Sequence, residues 1–177
     1  MEMTRRGFLE MQAAMAASMQ ARVSANDRVR AAFIGCGARA HELMEAMMAH
    51  PQFEIPAVCD AYKGRVERAQ DRIRGRRGAA PRVLKDYREA IADKSLDALV
   101  VATPDHWHKQ MVIEALEAGK DVYCEKPLTY RSSEGPEIIA AAKRTGRIVQ
   151  VGSQGMSSMT QNQARELIRG GKLGKVT

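Results

Sequence analysis

Three cysteines and four histidines are all this 177-residue chain offers for crosslinks or soft metal ligands, and no C-x-x-C or H-x-x-x-H spacing connects them. A disulfide framework is excluded, and a structural zinc site has no support. Aromatic residues make up 5% of the chain, with a single tryptophan, so no basic strip interleaved with stacking rings is present. No apolar run is long enough to span a bilayer. Acidic residues are also short, 21 against 28 basic ones, for a formal charge of +7. That shortfall sits in one place. Lys63 to Arg88 holds ten basic residues against Glu67, Asp71 and Asp86. Without a helix-turn-helix or finger pattern beside it, the segment reads as a solvated helix face and a basic loop, and nucleic-acid binding is not expected.

What the chain does have is concentrated between Val29 and Asp60. A short apolar run ending Ala31-Ala32-Phe33-Ile34 stops on Gly35-Cys36-Gly37-Ala38-Arg39-Ala40. A helical pattern follows (Leu43, Met44, Met47, Met48) and breaks at His50-Pro51; a second strand, Glu54 to Cys59, ends on Asp60. Strand, G-x-G-x-x-A turn, helix, strand and terminal carboxylate form the layout of a dinucleotide-binding βαβ unit. Gly35 permits the sharp turn off the strand. Gly37 leaves room for a pyrophosphate, which the N–H groups of the next helix would face. Ala40, small, allows close helix–strand packing. Asp60 can accept hydrogen bonds from a ribose diol and would repel a 2′-phosphate, so NAD is expected ahead of NADP, with Arg65 leaving a small opening for the latter.

Strands and helices alternate in the remainder. A helix is expected over Lys63 to Arg74, a strand over Arg82 to Leu84, a short helix from Asp86 and a fourth strand from Leu96 to Thr103. A helix over Lys109 to Ala118, a strand over Val122 to Cys124, a helix capped by Ser132 or Ser133, a strand over Ile148 to Val151 and a helix over Gln161 to Arg169 follow. This alternation predicts a doubly wound parallel sheet of the α/β class with right-handed crossovers. Ligands of such sheets bind at the carboxyl ends of the strands. Those ends carry Gly35, Gly37, Asp60, Thr103 to His108, Glu125, Lys126, Pro127 and Gln154. Cys36, Cys59 and Cys124 also fall there, as small buried packing residues.

The first ten residues contain Thr4-Arg5-Arg6-Gly7-Phe8-Leu9, which resembles a twin-arginine export signal. A leader is therefore expected over residues 1–25, with export to the periplasm if the signal operates and a cytoplasmic location otherwise. The competing reading is an amphipathic helix with Met11, Met15 and Met19 on one face.

The glycine turn closing on Asp60, Ala-Thr-Pro-Asp-His-Trp-His at 102–108, Ala-Gly-Lys-Asp-Val-Tyr-Cys-Glu-Lys-Pro-Leu at 118–128 and Val-Gly-Ser-Gln at 151–154 together resemble the N-terminal domain of the Gfo/Idh/MocA oxidoreductases. That is the glucose–fructose oxidoreductase, inositol dehydrogenase and rhizopine-catabolism group. The resemblance implies a Rossmann domain over 28–155, then a linker helix and the truncated start of a substrate domain over 156–177. It implies cofactor contacts from Gly35, Cys36, Gly37, Ala38, Arg39, Ala40 and Asp60, and from Thr103, Pro104, His108, Glu125, Lys126 and Gln154. Lys126 would stand beside the nicotinamide as the catalytic ammonium, its backbone set by Glu125 and Pro127 through a cis Lys-Pro bond. His106 and Trp107 are expected to cap or pack the next helix. The implied reaction is hydride transfer to or from a sugar or polyol carbinol, with the chain inactive or very weak alone because a substrate domain is absent. Two rivals stand beside it. One is an NAD-dependent glycoside hydrolase of the same scaffold. The other is a non-catalytic NAD-binding module that self-associates through a sheet edge.

Overall fold

The structure, a computed structural model, describes residues 28–172 and residue 174. The leader over 1–25, and with it the export signal, lies outside the described residues. β1 (Val29–Ile34) is the centre of the molecule. Its last four residues are at most 2% exposed, as an apolar strand covered on both faces must be. Around it stand β3 (Ala57–Cys59), β4 (Arg82–Leu84), β5 (Ala98–Val101), β6 (Asp121–Glu125) and β7 (Val149–Gly152), in the order β4-β3-β1-β5-β6-β7. All pairings are parallel. The chain runs outward from β1 to β4, then returns to the other side of β1. The strand order therefore reverses between β1 and β5, and the crevice at their carboxyl ends is the switch point where such sheets bind ligands.

Two apolar layers hold the helices on the sheet. α1 (Ala38–Met48) and α2 (Lys63–Arg77) cover one face, where Met44, Val66 and Ile73 pack with Phe33, Val58 and Val100. On the other face α4 (His108–Glu117) and α5 (Gly135–Thr145) bury Val112, Leu116 and Ile138 against Ile34, Leu99 and Val101. The short α3 (Tyr87–Ala92) is held at its start by a reciprocal cap between Asp86 and Glu89. α6 (Met159–Arg169) buries none of its residues.

The elements follow the expected order, with differences that have local causes. The expected second strand is split by Pro56, which has no N–H to give the ladder. Its first part, β2 (Phe53–Glu54), pairs with Val29 and Arg30, and its second part, β3, pairs with Phe33 and Ile34 one residue out of step, as a bulge requires. α2 does not stop at Arg74. Gly75 stays helical, and the helix ends at Gly78 with φ +81. The extra turn is anchored because the Arg77 guanidinium donates to the carbonyls of Met48, His50 and Phe53 at 3.0, 3.0 and 3.3 Å. Ser132 opens a single 3-10 turn rather than the helix itself. α6 begins two residues before Gln161 because Ser158 caps it, accepting from the Gln161 N–H at 3.2 Å.

Candidate dinucleotide site

β1 gives way to Gly35, which lies at φ +88. A Cβ there would stand 2.5 Å from the Ala102 carbonyl oxygen and 3.0 Å from the Thr103 nitrogen. The turn is pressed against the end of β5 and is pinned on its other side, where the Gly35 N–H donates to the Cys59 carbonyl at 2.8 Å. Gly37 is different. Its φ is −74, and nothing lies within 4 Å of a Cβ built on it. It borders open space and serves as the N-cap of α1, which receives no side-chain cap. The first N–H groups of α1 thus face that space unpaired by any side chain, which suits a bound phosphate. Ala40 is fully buried in the α1–sheet layer. The donor set and the cleared space fit a pyrophosphate held on the turn.

Asp60 follows β3 directly. Its carboxylate accepts from the Cys36 N–H at 2.7 Å and from the Tyr62 N–H at 2.8 Å, and Arg65 Nη1 lies 3.9 Å away. The carboxylate is thereby fixed beside the glycine turn, where a ribose would arrive.

A cavity of about 430 Å³ runs along these strand ends. Of the residues singled out from the sequence, Gly35, Gly37, Asp60, Thr103 and Pro104 line it. Its far wall holds residues that the sequence did not single out, among them Lys85, Asp86, Tyr87 and Arg88 at the end of β4, and Met111. The signal for them was the strand order: β4 lies beside β3, so its carboxyl end must border the same crevice. Tyr87 donates to Glu114 at 2.8 Å, and burial followed by that bond pushes its phenol up to about 12. It is a neutral donor at physiological pH. Trp107 also lines the cavity and is 41% exposed, with the His106 ring tilted against it at 5.8 Å. Trp107 takes the N-cap position of α4, and the side chains of both residues are exposed. They face outward because Pro104 starts a 3-10 turn, Asp105–Trp107, ahead of the helix.

Cys36, Ala38, Arg39, Ala40, His108, Glu125, Lys126 and Gln154 do not line that cavity. Several instead form a second cluster at the ends of β6 and β7. Glu125, 5% exposed, accepts from Arg39 Nε at 2.7 Å, from the Tyr123 hydroxyl at 3.2 Å and from the Lys126 N–H at 3.2 Å. Arg39 comes from the first turn of α1, so this ion pair spans from the glycine turn to the strand before Lys126. The Glu125 bond is also the main reason the Arg39 guanidinium holds its proton more tightly than usual. Gln154 completes the cluster in the amide orientation that satisfies both its ends, accepting from Arg39 and donating to the Gly152 carbonyl at 3.0 Å. The Arg39–Glu125 pair was not foreseen, since no spacing links residues so far apart.

His108 was expected on the wall of the cleft. It is buried instead, and its two ring nitrogens face the carbonyls of Pro127 at 2.7 Å and Thr103 at 2.9 Å. It ties together the loops after β5 and β6. The Lys126–Pro127 bond is cis. The Lys126 side chain is exposed, and its ammonium has no hydrogen bond or ion pair among the described residues.

All three cysteines are buried. Burial, chiefly, pushes the thiols of Cys36 and Cys124 up to about 12 and that of Cys59 to about 11. Thiolate is the reactive form. Alkylation of the folded chain at pH 8, followed by mass spectrometry, should therefore run at least about 100-fold slower than for a free thiol. Denaturant should restore all three. Fast labelling of Cys36 in the native state would mean that the glycine turn is open to solvent.

Residues 29–153 match the model of the oxidoreductase family with an NAD-binding Rossmann fold, Gfo/Idh/MocA. A glycosyl hydrolase family 109 protein of Shewanella baltica is 31% identical over 123 residues, 67% of this chain and 27% of that protein. An alpha-N-acetylgalactosaminidase of Shewanella oneidensis is 33% identical over 121 residues, 66% of this chain and 26% of that protein. The chain thus spans about a quarter of the length of these curated relatives. Among solved structures, the WlbA dehydrogenase of Chromobacterium violaceum with NADH and UDP-GlcNAcA superposes with a TM-score of 0.74 at 27% identity, over 84% of this chain and 41% of that one. With the glycine turn, the carboxylate after β3 and the Glu-Lys-Pro turn all at one rim of the sheet, this chain belongs to the Gfo/Idh/MocA oxidoreductase family, and residues 29–153 are its NAD-binding Rossmann domain.

Proposed function

We propose that this chain is the cofactor-binding part of an oxidoreductase that moves hydride between a nicotinamide and a sugar or polyol carbinol. The observation that carries the reading is Lys126. Its backbone is fixed by Glu125 and by His108 through the Pro127 carbonyl, while its ammonium has no partner among the described residues. NAD, when bound, supplies the hydride acceptor or donor. Gly37 and the first turn of α1 take the pyrophosphate, Asp60 the adenosine ribose, and Thr103 and Pro104 the side of the cleft leading to the ring. Lys126 then donates a hydrogen bond to the carbinol oxygen and stabilises the charge that develops there as the hydride leaves or arrives. The sugar class follows from relatives described with sugar or sugar-nucleotide substrates. The twin-arginine pattern adds export to this proposal.

An ammonium beside the ring also disfavours the positive charge of the oxidised cofactor. Replacing Lys126 with methionine should therefore shift the ratio of NAD⁺ to NADH dissociation constants about fivefold toward NAD⁺, the equivalent of roughly 1 kcal/mol between charges in a water-exposed setting. Calorimetric titration of both forms measures this. An unchanged ratio would remove Lys126 from the nicotinamide.

The second reading, an NAD-dependent glycoside hydrolase, is favoured by the identity to the family 109 proteins. It would release sugar from a nitrophenyl glycoside with no net change in cofactor absorbance, whereas the dehydrogenase changes that absorbance in step with turnover.

A further inference from the structure

The Glu125 carboxylate is a junction between distant parts of the rim. Buried at the end of β6 and 5% exposed, it accepts from Arg39 Nε of α1 at 2.7 Å and from the Tyr123 hydroxyl at 3.2 Å. Its other oxygen accepts from the Lys126 N–H at 3.2 Å. β7 closes tightly over it. A Cβ on Gly152 would stand 2.7 Å from the Tyr123 hydroxyl and 2.8 Å from Glu125 Oε1, so the strand reaches the junction only as glycine.

Arg39 lies in the first turn of α1, beside the space cleared at Gly37. A guanidinium there suits a phosphate ligand, yet its donors are already committed. Nε binds Glu125, Nη1 binds Glu42, and Nη2 donates to the Gln154 amide. Turning to a phosphate would strip a buried carboxylate of its cationic partner, which is the strongly destabilising way to break such a pair. The phosphate is left to the backbone N–H groups of the helix start. From the phosphate turn to the reactive end there is instead one continuous run of bonded groups: Arg39, Glu125 and the Lys126 N–H.

We propose that Arg39 is a positioning residue and not a phosphate ligand: acting through Glu125, it sets where the Lys126 ammonium stands against the nicotinamide. The proposal rests on the reading of Lys126 given above. An ammonium on a loosened turn moves off the ring, so disturbing Arg39 should mimic in part the removal of the ammonium itself.

Calorimetric titration of folded variants with NAD⁺, NADH and ADP-ribose tests this, since ADP-ribose carries the pyrophosphate but no nicotinamide. Arg39→Met should shift the ratio of NAD⁺ to NADH dissociation constants about two- to fivefold toward NAD⁺, while ADP-ribose changes less than about threefold. Arg39→Lys, which keeps a charged donor for Glu125, should return the ratio to within about twofold of the native value. Glu125→Leu separates position from charge. Losing an anion near the ring would by charge alone move the ratio away from NAD⁺, whereas a loosened turn moves it the same way as Arg39→Met. In the Lys126→Met background, Arg39→Met should move the ratio no further.

A loss for ADP-ribose as large as that for NADH would make Arg39 a phosphate ligand and overturn the proposal. So would opposite shifts in Arg39→Met and Glu125→Leu, or a ratio that moves in Lys126→Met but not in Arg39→Met. A ratio unmoved by Lys126→Met would overturn the reading of Lys126 and this proposal together. The native chain gives a check that needs no variant to fold. The Arg39 Nε–H resonance in nitrogen-15 NMR should stay in place when ADP-ribose binds, and its displacement by the ligand would overturn the positioning role.

Discussion

Gly35→Ala should cost about 3 kcal/mol of stability and most of the affinity for a dinucleotide. The backbone angle at this position, φ +88, is costly for any residue with a Cβ, by about 1–2 kcal/mol. The new methyl would also lie 2.5 Å from a backbone oxygen of the central strand pair, and neither partner is a flexible side chain that can swing away. Overpacking of this kind adds about 1–3 kcal/mol. The comparison that separates stability from binding is Gly37→Ala. Here φ is −74 and a Cβ meets nothing within 4 Å, so urea unfolding should move by no more than about 1 kcal/mol, the cost of alanine at an N-cap. The same methyl stands where the pyrophosphate must sit, so affinity for NADH should fall at least about tenfold. If Gly37→Ala bound NADH as the native chain does, the phosphate would not lie on this turn.

The Arg39–Glu125 pair sets the second large effect, and the two partners should not be equivalent. The Glu125 side chain is 7% exposed and that of Arg39 34%. Removing Arg39 strands a buried carboxylate with weaker partners, which costs about 3 kcal/mol in sites of this kind. Removing Glu125 frees a guanidinium that can hydrate and that retains Glu42, so Glu125→Leu should cost less than Arg39→Met. The double variant should be more stable than the sum of the single losses implies. Chemical unfolding of the four proteins gives these values. A larger loss for Glu125→Leu, or strict additivity, would mean that the pair does not lock the end of β6. Arg39→Met should also loosen the Glu125-Lys126 turn, because the Lys126 N–H bonds the same carboxylate.

What the sequence disclosed was whatever depends on local pattern. The apolar run of β1, the glycines after it and the carboxylate after β3 are close in sequence and obey known spacings, so strand, turn and Asp60 could be placed from them. The parallel, doubly wound class of the sheet followed from alternation and handedness, whereas the order of its strands came only with the structure. The sequence did not disclose what depends on distant residues meeting. Arg39 and Glu125 come together only once α1 is laid across the sheet, and His108 becomes a tie between two loops only once β5 and β6 are neighbours. Gly75 illustrates the limit of local signals. As punctuation it should have ended α2, yet the bonds from Arg77 to three carbonyls of the preceding unit carry the helix past it. Pro56 carried the opposite lesson: a single missing N–H was enough to divide a strand that hydropathy had joined.

Trp107, the one tryptophan of the chain, lines the cavity proposed for the cofactor. Its emission should therefore be quenched on addition of NADH, with matching sensitised emission from the reduced nicotinamide, saturating below about 1 mM. In Gly37→Ala the midpoint of the same titration should move to at least about tenfold higher NADH concentration. A native chain whose Trp107 emission stays constant through that range, with no sensitised nicotinamide signal, would contradict dinucleotide binding at this rim.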